Sequence, residues 1–284
     1  MTSFQKFIKY CAIALAAVII VSIVGGAAWG ISAIVGLADG ELAGAVLDSG
    51  VQIGKYEEVD GDMNGYSVSG DITAVRIDVS AARISVRTGD ALSVESTISD
   101  LTVKNDGGRL VVKDKKHVTY NNSNKNTVDI ILPEGITLDE LDIDGGAGTL
   151  DVSGITSRRL SVGIGAGSTR LSSLTVTESA DIDGGAGRLV IDGCDITDLD
   201  FDMGTGKAVL DCRLSGDCSI DQGVGALELT LRGTPNDYRI KLDKGIGSAR
   251  LGGSGVGDGT YGSGACTVDL DGGIGSMIID FAED

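Results

Sequence analysis

Leu141 to Val152 reads LDIDGGAGTLDV, and this stretch decides the fold. Leu141, Ile143, Leu150 and Val152 alternate with polar residues on either side of a glycine-rich corner, which predicts two short strands joined by a tight turn. The chain repeats it as LSVGIGAGSTRL from Leu160, ADIDGGAGRLVI from Ala180 and LDFDMGTGKAVL from Leu199. CSIDQGVGALEL from Cys218, IKLDKGIGSARL from Ile240 and VDLDGGIGSMII from Val268 complete the set. Aligned on Gly148, Gly167, Gly187, Gly206, Gly225, Gly247 and Gly275, the copies lie 19, 20, 19, 19, 22 and 28 residues apart. A second glycine stands two positions earlier in every copy, from Gly146 to Gly273. Two upstream segments, VRIDVSAARISV from Val75 and LTVKNDGGRLVV from Leu101, fit with degraded corners, Ser80, Ala82 and Asp106 taking glycine positions.

Two architectures produce such a repeat. One is a meander of antiparallel hairpins, and the other is a β-solenoid in which equivalent residues stack at ~4.8 Å. Identical residue types in columns favour stacking, and glycine lets neighbouring corners approach without a Cβ. The expected fold class is all-β: a single-stranded β-helix or β-solenoid of about 20-residue repeats, preceded by one N-terminal transmembrane helix.

Composition excludes several functions. The 284 residues carry 23 Lys and Arg against 41 Asp and Glu, a net charge of −18, which argues against nucleic-acid partners. Histidine occurs once, as His117, which leaves little for a metal site or a catalytic triad. Neither a cofactor nor enzymatic activity is expected. The G-x-G strings are not a dinucleotide fingerprint, because a strand rather than a helix follows each one. Nor are they calcium-binding nonapeptides, since Leu150 and Leu189 stand where the ligand aspartate belongs.

Tyr10 to Ala38 carries no charge and exceeds the roughly 20 apolar residues a bilayer span needs. Lys6 and Lys9 precede it, whereas Asp39, Glu41 and Asp48 follow, so the N-terminus is expected in the cytoplasm and the repeats outside. A cleavable signal peptide ending at Gly36-Leu37-Ala38 is the rival, but its apolar core would be about twice the usual length. The expected organisation is residues 1–9 cytoplasmic, 10–38 a single-pass anchor, 39–70 a linker and cap, and 71–284 the repeat domain.

Val128 to Gly154, VDIILPEGITLDELDIDGGAGTLDVSG, followed by the glycine repeats, resembles the bacterial "putative adhesin" β-strand-repeat family of unknown function, related to head-domain putative adhesins and Lia-type envelope-stress surface proteins. The resemblance covers about residues 70–281. It implies a β-helical extracytoplasmic domain on a bacterial cell membrane and carries over no catalytic residues.

Three groups of side chains are candidates. Asp144, Asp183, Asp202, Asp221, Asp243 and Asp271 form an acidic column interrupted by Gly163. Solvated Asx-type turns are its expected role, and weak divalent-cation sites are the alternative, with no metal expected. The segment Lys113 to Asn126 holds Lys113, Lys115, Lys116, His117, Tyr120 and Lys125, and as a long loop it is a candidate for an anionic partner. Cys194 and Cys212 follow their anchor glycines by seven and six residues, which brings them close on adjacent repeats as a candidate disulfide. The expected function is adhesion, or sensing of the cell envelope by binding an envelope polymer or surface protein. A purely structural spacer and a β-helix enzyme acting on envelope polysaccharide are the alternatives, the last disfavoured by the scarcity of aromatics to stack sugars.

Overall fold

The computed structural model describes residues 63–114 and 126–283, and strands form all of their regular structure. The chain runs through β1 (Asn64–Tyr66), β2 (Ala74–Gly89), β3 (Ser93–Ser96), β4 (Thr102–Asp106), β5 (Arg109–Lys113) and β6 (Thr127–Pro133). The repeats follow as β7 (Thr137–Ser153), β8 (Thr156–Ser172), β9 (Thr175–Asp183), β10 (Ala186–Thr197), β11 (Leu199–Asp202), β12 (Thr205–Ser215) and β13 (Asp217–Arg232). β14 (Tyr238–Asp243), β15 (Ile246–Leu251), β16 (Ser254–Val256), β17 (Gly259–Gly262) and β18 (Cys266–Ala282) complete one hydrogen-bonded sheet. The expected anchor, 10–38, lies outside the described residues, among which no helix is long and apolar enough to cross a membrane.

Pairing between successive repeats is parallel, not the antiparallel pairing of a meander. Gly148 stands opposite Gly167, Gly167 opposite Gly187, Gly187 opposite Gly206 and Gly206 opposite Gly225. The apolar columns point inward: Ile143, Val162, Ile182, Phe201, Ile220, Leu242 and Leu270 are all buried. So are Val152, Leu171, Ile191, Leu210, Leu229 and Ile279, leaving only Leu251, at the end of the stack, partly covered.

The corners explain the glycines. Gly187 has φ +147°, and a Cβ built on it would overlap the carbonyl oxygen of Gly167 in the preceding level. The same holds for each anchor glycine against the level before it, always in the same direction. In the first copy Ala82 takes this position, opposite Gly148, and the β5–β6 level lies on the other side of β2. There the chain leaves β5 and returns as β6, pairing with the two halves of β2. The Asp114 carboxylate accepts hydrogen bonds from Ser80 N–H (2.8 Å) and Ser80 Oγ (3.1 Å). Asn126 Nδ2 donates to Ala81 O at 3.0 Å.

The order of the levels differs from the order of the repeats. Stacking in sequence would place Gly247 between Gly225 and Gly275. Instead β18 lies between β13 and the β14–β15 pair, with Gly225 and Gly247 both opposite Gly275. The other end does the same, with β2 inserted between β7 and the β5–β6 pair. Antiparallel strands then cover both outermost levels: β4 on β5, β3 on β6, β17 on β14 and β16 on β15. From β6 to β15 the stack has eight inter-strand steps, or roughly 38 Å at ~4.8 Å per step.

Candidate functional site

Parallel register assembles the predicted acidic column. Asp144 faces Gly163, Gly163 faces Asp183, and Asp202 and Asp221 follow in turn. Asp271 is next and Asp243 last, the reverse of their order in the chain. Asp78 extends the column beyond Asp144. A second acidic column lies two residues earlier, where Asp142, Asp181, Asp200 and Asp269 stack with Ser161 and Ser219 between them. Residues i and i+2 share a face of a strand, so the repeated D-x-D in LDID, ADID, LDFD and VDLD was the signal for it.

Cations hold the ends of this face. Lys113 Nζ lies 2.5 Å from Asp78, Arg76 3.1 Å from Asp142 and Lys241 3.2 Å from Asp269. Between these pairs the aspartates face one another. Asp183 and Asp221 are held above the usual carboxylate range by partial burial and then by neighbours, Asp181 and Asp202 acting on the first and Asp271 and Asp202 on the second. Two members make the expected turn bond, Asp202 accepting from Gly204 N–H and Asp243 from Gly245 N–H, each at 3.0 Å. Gly163 opens a notch of about 350 Å³ walled by Asp144, Asp183 and Asp202. Among the described residues, no three His, Cys, Asp or Glu side chains are grouped to hold a metal ion.

Linkage gives this column a pH signature. Because Asp183 and Asp221 titrate above the ordinary 3.8, their protonation favours the folded state. That contribution is complete below 3.8 and is lost as pH rises through the raised folded-state values. Tm is therefore expected to rise on acidification from neutral into that window. Further acid reverses the trend by protonating Asp106, Glu178 and Asp237, whose carboxylates are stabilised by hydrogen bonds from Lys104, Arg158 and Thr234. Asp183→Asn keeps an acceptor while removing a repelling charge, so its Tm at pH 7 should match or slightly exceed that of the parent, with a smaller acid-induced rise. Calcium should change either Tm little. A large calcium-dependent rise lost in Asp183→Asn would make the column a cation site.

Beside the acidic face, the middle residue of each G-x-G corner forms an outward column. It runs Ala147, Ala166, Ala186, Thr205, Val224, Ile274 and Ile246 in stacking order. The last three are 47%, 53% and 74% exposed, and Ile278 on an adjoining column is 38% exposed. The signal was in the sequence, where GAG becomes GTG, GVG and then GIG along the chain.

A second groove, of about 690 Å³, gathers Arg76, Arg109, Arg158 and Arg159 near the opposite end. Its cations are matched by carboxylates: Arg109 by Glu140 (2.6 Å), and Arg158 and Arg159 by Glu178 (2.5 and 3.5 Å). Of the predicted basic loop, Lys113 pairs with Asp78. Lys115, Lys116, His117, Tyr120 and Lys125 lie outside the described residues.

Cys194 and Cys212 do stand opposite each other, a bulge after Asp192 absorbing the one-residue difference in spacing. In this structure both are buried free thiols. Cys194 Sγ points toward the preceding level, accepting from Leu174 N–H at 3.4 Å and donating to Leu171 O at 3.7 Å. Cys218 and Cys266 are also buried and free.

Residues 60–192 match the family model described as the N-terminal domain of toast_rack, DUF2154. Similar solved structures include a putative cell adhesion protein from Clostridium sporogenes, 13% identical over 78% of this chain and 99% of that one, with a TM-score of 0.36. A putative adhesin from Bacteroides fragilis is 12% identical over 77% and 96%, with a TM-score of 0.30. A putative lipid binding protein from Parabacteroides distasonis is 13% identical over 78% and 96%, with a TM-score of 0.31. No curated protein matches the chain.

Proposed function

We propose that this chain is a membrane-anchored, extracytoplasmic surface protein whose stacked levels form a β-solenoid, and that it binds a component of the cell envelope rather than catalysing a reaction. The observation that carries this is the outward column Val224, Ile274 and Ile246, lying beside Asp221, Asp271 and Asp243. Exposed apolar side chains in one contiguous group mark interaction surfaces. A spacer would gain nothing from them and would risk aggregation. The described chain begins with β1 on β3, at the end of the stack opposite to these residues. The chemistry of the surface suits an envelope polymer or surface protein carrying basic groups beside apolar ones.

The full-length chain, immobilised in mild detergent and incubated with envelope fractions, is expected to retain one defined component. Retention should weaken as salt rises, because the aspartates supply part of the attraction. Ile246→Ser/Ile274→Ser should reduce it about tenfold or more, the loss expected when two anchoring side chains of ~1 kcal/mol or more each are removed. Inert behaviour of the parent chain in every fraction would favour the spacer.

A further inference from the structure

The outward column of corner residues carries opposite chemistry at its two ends. On β2 the column begins at Ala81, opposite Ala147. Asp114 and Asn126 both bond this corner, the first through Ser80 and the second through Ala81 O at 3.0 Å. The eleven residues between them, KKHVTYNNSNK, therefore enter and leave the stack at the head of the column. They bring three lysines, His117, Val118 and Tyr120, and no carboxylate. At the far end lie the exposed Val224, Ile274 and Ile246, beside Asp221, Asp271 and Asp243. Lys241 is taken up by Asp269, whereas Asp221 and Asp271 have no ion pair among the described residues. Basic groups beside apolar ones, the chemistry that this surface suits, are thus present in the chain itself. No other stretch outside the described residues offers them in such a cluster. Residues 10–38 carry no charge, and 39–62 carry seven carboxylates and one lysine, which the aspartates repel.

We infer that the occupant of this surface is segment 115–125 of a second copy of the chain. The inference rests on the proposal that the surface is a binding site, and it names the partner. The segment cannot reach the surface of its own copy. Eleven residues running out and back extend at most ~20 Å. Val224 lies six inter-strand steps from β6 and Ile246 eight, roughly 29 and 38 Å at ~4.8 Å per step. Segment and surface occupy opposite ends of one column, so two antiparallel copies satisfy both contacts at once and close as a two-fold dimer. Asp144, Asp183 and Asp202 of the middle levels repel their counterparts, which confines the contact to the two ends and keeps the affinity modest.

The test is the oligomeric state of the full-length chain in mild detergent, by sedimentation velocity from about 1 to 100 μM, the affinity range of small interfaces. A monomer–dimer equilibrium is expected, weakening as salt rises. Lys115→Glu/Lys116→Glu/Lys125→Glu and Asp221→Lys/Asp271→Lys should each weaken self-association about tenfold or more, because each sets like charges against each other. Mixed in equal amounts, these two variants should pair with near-parental affinity, since both contacts are again opposite in charge. A parent chain that stays monomeric overturns the inference. So does a dimer that neither variant disturbs, as association through the N-terminal segment would be, or a mixture that fails to pair. A monomeric parent that still retains an envelope component, with retention lost in Ile246→Ser/Ile274→Ser, overturns this inference alone and leaves the binding surface standing. A monomeric parent that retains nothing removes both.

Discussion

Gly187→Ala is expected to lower Tm by roughly 10 °C or more, although it adds a single methyl group. The added carbon would enter the space of the Gly167 carbonyl, in the middle of a ladder that pairs on both sides. The level cannot move aside without breaking hydrogen bonds to its neighbours. Overpacking costs ~1–3 kcal/mol, and forcing φ +147° on a residue with a side chain adds ~1–3 kcal/mol. Gly163→Ala is the control. No atom lies within 4 Å of a Cβ built there, so its effect should stay within ~0.5 kcal/mol. Thermal melts of the two variants check the contrast, and equal tolerance at both positions would remove stacked corners as the reason for the glycines.

Ending the chain after Ala265 is expected to abolish the cooperative melting transition. Were the repeats stacked in sequence, this truncation would trim one terminal level and leave the others intact. Because β18 lies between β13 and the β14–β15 pair, it removes an interior level and leaves the outermost one without a base. Val268, Leu270, Met277 and Ile279 are buried to within 1% of complete, and ~1.5–3 kcal/mol is lost with each such side chain. That sum rivals the whole stability of an ordinary domain, ~5–15 kcal/mol. Circular dichroism melts, with limited proteolysis of β14 to β17, would show it. A truncated chain melting as sharply as its parent would contradict the observed order.

The columns were legible because every level uses the same positions for the same purpose. Ile143 and Phe201 point inward for the reason their spacing suggests, and the corner glycines mark where backbones meet. The order of the levels was not legible, because parallel ladders do not discriminate among equivalent rungs. Leu270 packs as well beside Ile220 as beside Leu242. The departures in spacing, 22 and 28 residues against 19 or 20, were the clue, since the additional residues after Leu251 supply the covering strands β16 and β17. For the site, the Asp183 column was legible as a column, whereas Asp181 and Asp200 required asking which residues share a face. Ile246 and Ile274 were hidden as the middle residues of corners, where small polar turn residues are the usual expectation.

The insertion of β18 also governs how the protein can be made. A chain emerging N-terminus first has β14 to β17 available before residues 266–282 exist. Until that last segment arrives, β13 presents an unpaired edge and the outermost level has nowhere to dock. The repeats can begin to pair as they emerge, yet the structure closes only when the final strand enters from the side. A product terminated before residue 266 therefore lacks an interior level and is left open for proteases to remove.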